Sequence, residues 1–551
     1  MTQSRELVVY QPAGRRVRLD PEKSLLELAT MAGVGIEASC GGKGTCGACR
    51  VKVDGEATDP DQSEAERLGT FAGEGFRLAC RARPRRGLTV WVPEESRRHQ
   101  QVILATGDRI EVPVDSAVLA RGLGADSDGP LLGLAVDLGT TTVVAYLHDL
   151  NSGAALAVET AMNPQVVHGD DLISRLAFGS SDRHGRETLT RLARQCVNSL
   201  ARRACRAAGV GPERIFHCVL VGNTAMHHIF LGLDLAGLTR APFQPTACDA
   251  RELPAAALGL EMAPDAFVTT LPLKAGFVGA DAVAVALALG ADGVTEPTLI
   301  ADLGTNGELI LATPGAIVCC STAAGPAFEG GHITWGMRAA PGAVDGVELP
   351  SVDLPPRLSV IGGRAPLGIC GSGLVAAVHA LLRRGVLGPQ GRFAEDVPGP
   401  WLRRGPEGPE FVLADAAHSG TGRDLVLTRR DVSELQLAKG AVHAGVALMM
   451  AELGLDAIGR VLLAGAFGNY LDPVHACGIG LFPGVTPERV RGVGNAAGAG
   501  AILGLLNRGH AERAGKIAKD MRYLELAGDP RFGPAYAKGL HFPSGAEASA
   551  P

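Results

Sequence analysis

Two stretches of this chain, 165 residues apart, share one design: AVDLGTTTVVAY (Ala135 to Tyr146) and IADLGTNGELIL (Ile300 to Leu311). Asp137 aligns with Asp302, Gly139 with Gly304 and Thr140 with Thr305. Each stretch is a short apolar run broken by a Gly turn, which reads as strand, turn, strand. A supersecondary unit that recurs predicts two related halves facing across a cleft. The turns suit phosphate. A Gly turn exposes backbone N–H groups, the hydroxyls of Thr140, Thr141 and Thr142 add donors, and the carboxylates can hold hydrated Mg²⁺. The chain has no GxxxxGK[ST], so this is not a P-loop.

Residues 5 to 95 read as a small β-rich unit. ELVVY, RVRLD, CRVKVDG and LTVWVP have the alternation of strands. SLLELATMAG has helical spacing, with Ser at the N-cap and Gly at its end. The same unit holds Cys40, Cys46, Cys49 and Cys80, spaced C-x5-C-x2-C-x30-C. Four thiolates can bind zinc or an iron–sulfur cluster. Structural zinc usually takes two CxxC knuckles, and here only Cys46 and Cys49 are so paired. One long loop with three ligands and a distant fourth is closer to the plant-type [2Fe–2S] spacing. Zinc and unligated thiols are the alternatives. Glycines at 41, 42, 44 and 47 let the loop wrap closely and aim N–H groups at sulfur. The basic flank RARPRRG after Cys80 is either a docking site for an acidic partner or a solvated face.

A chain of 551 residues holds more than one domain. Its 52 basic and 58 acidic residues give a net charge of −6, which favours neither nucleic acid nor an anionic membrane. The start MTQSRELVVYQPAG lacks the apolar core of a signal peptide, and apolar runs such as AVAVALALG are too short to cross a bilayer. A cytoplasmic location is expected, where clustered cysteines bind metal or do redox chemistry. The other eight of the twelve cysteines are scattered. Residues 96–130 end in Gly, Asp, Ser and Pro and read as a linker with one short strand. The expected domains are therefore 1–95, the linker 96–130, and 131–551.

The run CGGKGTCGACRVKV…RLAC resembles a β-grasp [2Fe–2S] ferredoxin, an α+β domain. The paired Asp-Leu-Gly-Thr hairpins resemble the actin, sugar kinase and Hsp70 ATPases, which are two-lobed α/β folds with duplicated RNase H-like halves. VLLAGAFGNYLD (Val461 to Asp472) is similar to the adenosine loop of that superfamily, an apolar strand running into a turn at Gly465, Ala466 and Gly468. CVLVGNTAMHHIFLG, GFVGADAVA, GPAFEGGHITWGMRAAPGA, GICGSGL and LQLAKGAVHAG narrow the resemblance to one branch. That branch is the reductive activators of corrinoid-dependent methyltransferases, in which a [2Fe–2S] domain is fused to an actin-like ATPase. The resemblance runs from about residue 5 to 510. Some members carry a middle domain between linker and ATPase, and only about 35 residues stand in that place here. Others use C-terminal [4Fe–4S] clusters, whereas no cysteine follows Cys477.

The resemblance implies a job. A corrinoid must be Co(I) to accept a methyl group, and accidental oxidation leaves Co(II). Rescue requires an uphill electron, costing about 2.3 kcal/mol per 100 mV, which differential binding of ATP, ADP and the cobalt states can supply. The implied cofactors are one [2Fe–2S] cluster, ATP and Mg²⁺. The implied partners are a corrinoid protein or methyltransferase and a low-potential electron donor, and a homodimer is compatible with them. Cys40, Cys46, Cys49 and Cys80 would bind the cluster. Asp137 and Asp302 would hold Mg²⁺ and order water. Gly139 to Thr142, and Gly304, Thr305 and Asn306, would hold phosphates. Glu308 is a candidate for the attacking water or a strand-end charge, and Asn223 and Thr224 are expected to line the cleft.

Three other functions compete: an activator of 2-hydroxyacyl-CoA dehydratases, a redox-sensing ATPase without net electron delivery, and a small-molecule kinase with a ferredoxin appendage. His227, His228, Cys319, Cys320 and Cys370 read as buried packing groups, Trp335 as a pocket cap or a packing residue, and AKGAVHAGVALMMAEL as a core helix.

Overall fold

The computed structural model describes residues 7–11, 15–32, 34, 36, 38, 42, 44, 45, 47, 49–93, 96, 112–124, 129–169, 171–304, 306–394 and 400–543. Cys40, Cys46 and Thr305 lie outside the described residues. The chain forms two compact units, residues 1–100 with 164–178, and residues 101–163 with 179–551.

The first unit is built on a five-stranded sheet in the order Arg15–Arg18, Leu7–Gln11, Leu88–Trp91, Arg50–Asp54, Phe76–Leu78. Leu7–Gln11 runs parallel to Leu88–Trp91 and the other pairs are antiparallel. The alternation of the first strand puts Val8 and Tyr10 fully inside. Helix Leu25–Met31 opens with a capping box. Ser24 Oγ accepts from Glu27 N, and the Glu27 carboxylate accepts from Ser24 N at 2.7 Å. Leu25, Leu28 and Ala29 make its buried stripe.

A second helix, Gln62–Leu68, was not among the expected elements. Its Glu64, 1% exposed, accepts from Arg77 Nε at 2.9 Å, Arg77 Nη2 at 3.0 Å and Leu78 N at 2.8 Å. This fork pins the strand that leads into Cys80. Glu64→Ala strands a largely buried guanidinium, a loss of about 3–5 kcal/mol. Amide exchange in Arg50–Asp54 and Phe76–Leu78 should then accelerate by about 150–5000-fold. Unchanged exchange would remove the pinning role.

The second unit repeats one topology. Each half has a six-stranded sheet. The first half lays down Leu132–Leu138, Thr142–Asp149 and Ala155–Met162 antiparallel, then adds Ile215–Val221 and Phe267–Thr270 parallel to the first strand. The second half does the same with Thr298–Leu303, Gly307–Thr313 and Ala316–Thr322, then Arg460–Ala464 and Val490–Gly492. Both sheets thus read third, second, first, fourth, fifth. A 25-residue helix follows the third strand in each half, Arg183–Ala207 and Arg429–Leu453. Thr224–Leu231 and Gly465–Tyr470 directly follow the fourth strands, and Ala280–Ala288 and Ala496–Leu506 follow the fifth. The duplicated RNase H-like fold expected from two hairpins therefore extends to strands and helices that share no visible sequence pattern. Leu132, Leu134, Ala135 and Val136 are all fully buried, so the central strand is apolar throughout instead of alternating.

The helix that ends the second half covers the sheet of the first. A Cβ on Gly500 would lie 2.1 Å from Ala284 O, and one on Gly133 would lie 2.8 Å from Leu505 Cδ1. Only glycine permits these approaches.

Within the expected linker, Ser116 caps a helix, Ala117–Arg121, and Gly122 ends it at φ +65°. The segment is fastened to its own unit: Asp115 N donates to Leu506 O at 2.9 Å, and Arg508 pairs with Asp115 at 3.0 Å. The Ser cap and Gly stop bracket this short helix, and residues 97–111 and 125–128 of the expected linker lie outside the described residues. The helix read as core is core: Lys439 on it, 1% exposed, donates to the carbonyls of Gly539 and His541. Among the described residues no helix is long and apolar enough to cross a membrane.

Candidate functional site

The first hairpin turn is closed by Gly139 N donating to Thr142 O at 3.0 Å. A Cβ on Gly139 would lie 2.6 Å from that oxygen, so the turn needs glycine. Two asparagines hold it. Buried Asn163 donates from Nδ2 to Gly139 O at 2.8 Å and from N to Thr141 O at 2.8 Å. Asn223 caps its helix and donates from Nδ2 to Thr140 Oγ1 at 2.8 Å. The second turn closes through Gly304 N and Asn306 O at 2.8 Å. It is one residue shorter: Leu303 pairs with Gly307, whereas Leu138 pairs with Val143. The shorter turn sets Asp302 opposite Glu308, where Asp137 faces only Val144.

Four carboxylates gather around these turns. Burial, opposed by the Asn495 amide, lifts Asp137 to about 6. Burial with the charges of Asp137 and Glu329 lifts Asp302 to about 6. Burial with Asp137 and Asp302 takes Asp281 to about 7. Glu308 is held well above its ordinary value by burial and by Asp281 and Asp302. Acids arranged to raise one another in this way are set to receive a cation.

Asp281 escaped the sequence reading. It is the second residue of helix Ala280–Ala288, and Gly279 before it packs so tightly that a Cβ would lie 2.5 Å from Asn223 Cα. Asn495 also escaped. Its Nδ2 donates to Asp137 Oδ2 at 2.9 Å and Tyr146 Oη at 3.2 Å.

A cleft opens beside the acids, lined among others by Thr141, Asp302, Gly304, Glu329, Phe467 and Tyr470. The expected residues divide. Thr141, Asp302 and Gly304 line the cleft, and Asn223 supports Thr140 from behind. Thr224 does not join them. It is buried, and its hydroxyl donates to Ala275 O at 2.6 Å. Gly465, Ala466 and Gly468 lie in a short helix, Gly465–Tyr470, instead of a turn. Gly465, at φ +78°, is the contact glycine: a Cβ there would lie 2.4 Å from Asp302 Oδ1. Gly468 packs on Leu463.

In the first unit Cys49 Sγ and Cys80 Sγ stand 3.3 Å apart. A disulfide would bring them to about 2.0 Å. Ala79 N donates to Cys49 O at 2.8 Å, which ties the two ligand segments together. Gly42, Gly44 and Gly47 all take left-handed φ, +82°, +77° and +72°. The loop thus turns in a way that side chains rarely allow. Two sulfurs brought this close, beside a loop of left-handed glycines, fit a thiolate-bound cluster. The basic flank is matched locally: Arg81 pairs with Asp61, Arg85 with Asp59 and Arg86 with Glu56. These pairs are exposed to solvent.

The groups read as packing are packing. His227 and His228 are fully buried, with His227 Nε2 3.1 Å from Thr270 Oγ1 and His228 Nδ1 donating to Thr224 O at 2.8 Å. Cys319, Cys320 and Cys370 are buried, and Trp335 packs on the second half's core.

Comparison with known proteins agrees with this geometry. The family described as the 2Fe-2S iron-sulfur cluster binding domain matches residues 8–85. The RACo middle region matches residues 132–293, and the C-terminal domain of RACo, the ASKHA domain, matches 296–550. The chain is 36% identical over 429 residues to the corrinoid activation enzyme RamQ of Eubacterium limosum, spanning 76% of this chain and 71% of that one. It is 26% identical over 420 residues to the "[Co(II) methylated amine-specific corrinoid protein] reductase" of Methanosarcina barkeri, spanning 71% and 72%. A solved structure, "Reductive activator for corrinoid,iron-sulfur protein", is 31% identical with a TM-score of 0.69, covering 98% of both chains. The family's middle region, matched over residues 132–293, coincides with the first half of the duplicated fold.

Proposed function

This chain belongs to the reductive activators of corrinoid proteins, and on that footing we propose the division of labour by which its residues restore Co(I) in a corrinoid partner at the expense of ATP. The observation that carries the reading is one chain in which a four-cysteine ferredoxin loop and a two-hairpin acid cleft occur together, over the full length of a solved activator.

Cys40, Cys46, Cys49 and Cys80 would hold the [2Fe–2S] cluster, which supplies a one-electron carrier at low potential. Gly139 to Thr142, Gly304 and Asn306 would offer donors to the phosphates of ATP, and Thr305, outside the described residues, is proposed with them. Asp137 and Asp302 would hold hydrated Mg²⁺. Among the described residues no three or more His, Cys, Asp or Glu groups are close enough to ligate a metal directly. Mg²⁺ usually keeps several waters, so outer carboxylates suit it. Glu308 and Asp281, beside Asp302, orient the attacking water. Asn495 fixes the Asp137 carboxylate, and Asn163 and Asn223 hold the first turn. Phe328 and Phe467, ring centroids 4.9 Å apart on the cleft wall, offer an apolar seat for the base. A separate low-potential donor reloads the protein after each electron.

The test is optical. Reduced protein is mixed without oxygen with a Co(II) corrinoid protein, with and without Mg-ATP. A Co(I) band that grows only with ATP is the expected result. ATP hydrolysis with the cobalt left as Co(II), across the candidate corrinoid partners, would favour the redox sensor. Phosphorylation of an added metabolite would favour the kinase.

A further inference from the structure

We infer that Arg338 is the anion clamp for the phosphate chain of the nucleotide, an inference that rests on the ATP reading of the cleft. Arg338 lies in GGHITWGMRAAPGA, a segment quoted above for its resemblance but given no role. The residue before it, Met337, is fixed in place. Met337 N donates to Ile369 O at 3.0 Å, and Gly330, at φ +75°, packs so that a Cβ would lie 2.2 Å from Met337 O. The Arg338 side chain lines the same cleft as Asp302, Gly304 and Glu329. Its Nη1 is buried and has no hydrogen-bond partner among the described residues. A charged donor left buried and unpaired is costly, so its position makes sense with an anion that arrives.

The surroundings give that anion a shape. Asp137, Asp281, Asp302 and Glu308 form an acidic pole. Gly371 and Ser372 line the cleft at the start of the 13-residue helix Gly371–Arg383, whose N-cap residue Cys370 makes no side-chain cap. A Cβ on Gly371 would lie 1.8 Å from Phe328 O, so only glycine lets this helix start sit there. The helix end and the guanidinium together form a positive pole. A magnesium polyphosphate carries both charges and fits between the poles. The planar guanidinium fork suits two phosphate oxygens, which an ammonium cannot grip in the same way.

The experiment compares full-length wild type, Arg338→Gln and Arg338→Lys. Binding of ATP, ADP and adenosine is measured with Mg²⁺ by competition against a fluorescent ATP analogue, and circular dichroism confirms the fold. Arg338→Gln should weaken ATP and ADP by about 10–100-fold and leave adenosine within twofold. Arg338→Lys should recover part of the loss. If Arg338→Gln binds ATP within threefold of wild type, or loses adenosine as much as ATP, the clamp is overturned while the ATP reading survives. A wild-type protein that binds no nucleotide overturns both.

Discussion

Cys49→Ala should leave a protein that still binds ATP but has lost its visible absorbance and its iron, and that forms Co(I) no faster than buffer. Cys49 is 1% exposed and its sulfur lies 3.3 Å from that of Cys80, so no water or surface group can take its place. Buried cysteines elsewhere are poor substitutes. Burial pushes the Cys196, Cys218 and Cys319 thiols up to about 12, far from the thiolate form that binds metal. ATP binding is the control, because the cleft residues belong to the other unit. A variant that kept two irons per chain and full Co(I) formation would remove Cys49 from the ligand set.

Asp302→Asn should lower ATP turnover by about 100–1000-fold, the range for removing one preorganised charged or polar group from a transition state. The cluster spectrum should not change. The same variant should melt at a higher temperature, because it removes one of four mutually repelling acids. The sign follows from the raised carboxyl. With a folded value of about 6 against an ordinary 3.8, the ionised Asp302 costs stability above pH 6, and the cost disappears as the pH falls toward 4. The gain in melting temperature should therefore be full at pH 7–8 and gone near pH 4. Activity lost where stability is gained marks a group kept for its chemistry. Turnover within threefold of wild type would instead make Asp302 a bystander.

What could be read from the sequence was whatever is local. Asp137 and Asp302 announce themselves because each sits between an apolar run and a Gly turn. The four cysteines do so because ligand spacing is a property of a single loop and one later strand. The residues that escaped act across distance. Asn495 reaches Asp137 from 358 residues away, and Asn163 and Asp281 stand alone in stretches with no repeat around them. Glu64 sits in a polar stretch that drew no assignment, and only the fold reveals Arg77 against it. Thr224 was misplaced for the converse reason. It follows Asn223 in the chain, but at a helix start successive side chains point in different directions. The adenosine loop was misread because its glycines suggest a turn, whereas a single glycine, Gly465, supplies the unusual φ and helix follows.

The helix Ala496–Leu506, which closes the first half of the duplicated fold from the far end of the chain, also bears on how the protein is made. A ribosome finishes the strand Ile215–Val221 roughly 275 residues before it reaches that helix. At about 5–20 residues per second, the apolar face of the first sheet waits about 15–55 s for its cover. The first unit, whose sheet is complete by Trp91, can fold long before then. Synthesis therefore passes through a stage in which a finished electron-carrier domain is joined to an uncovered sheet, and that is the stage at which this chain most needs a chaperone.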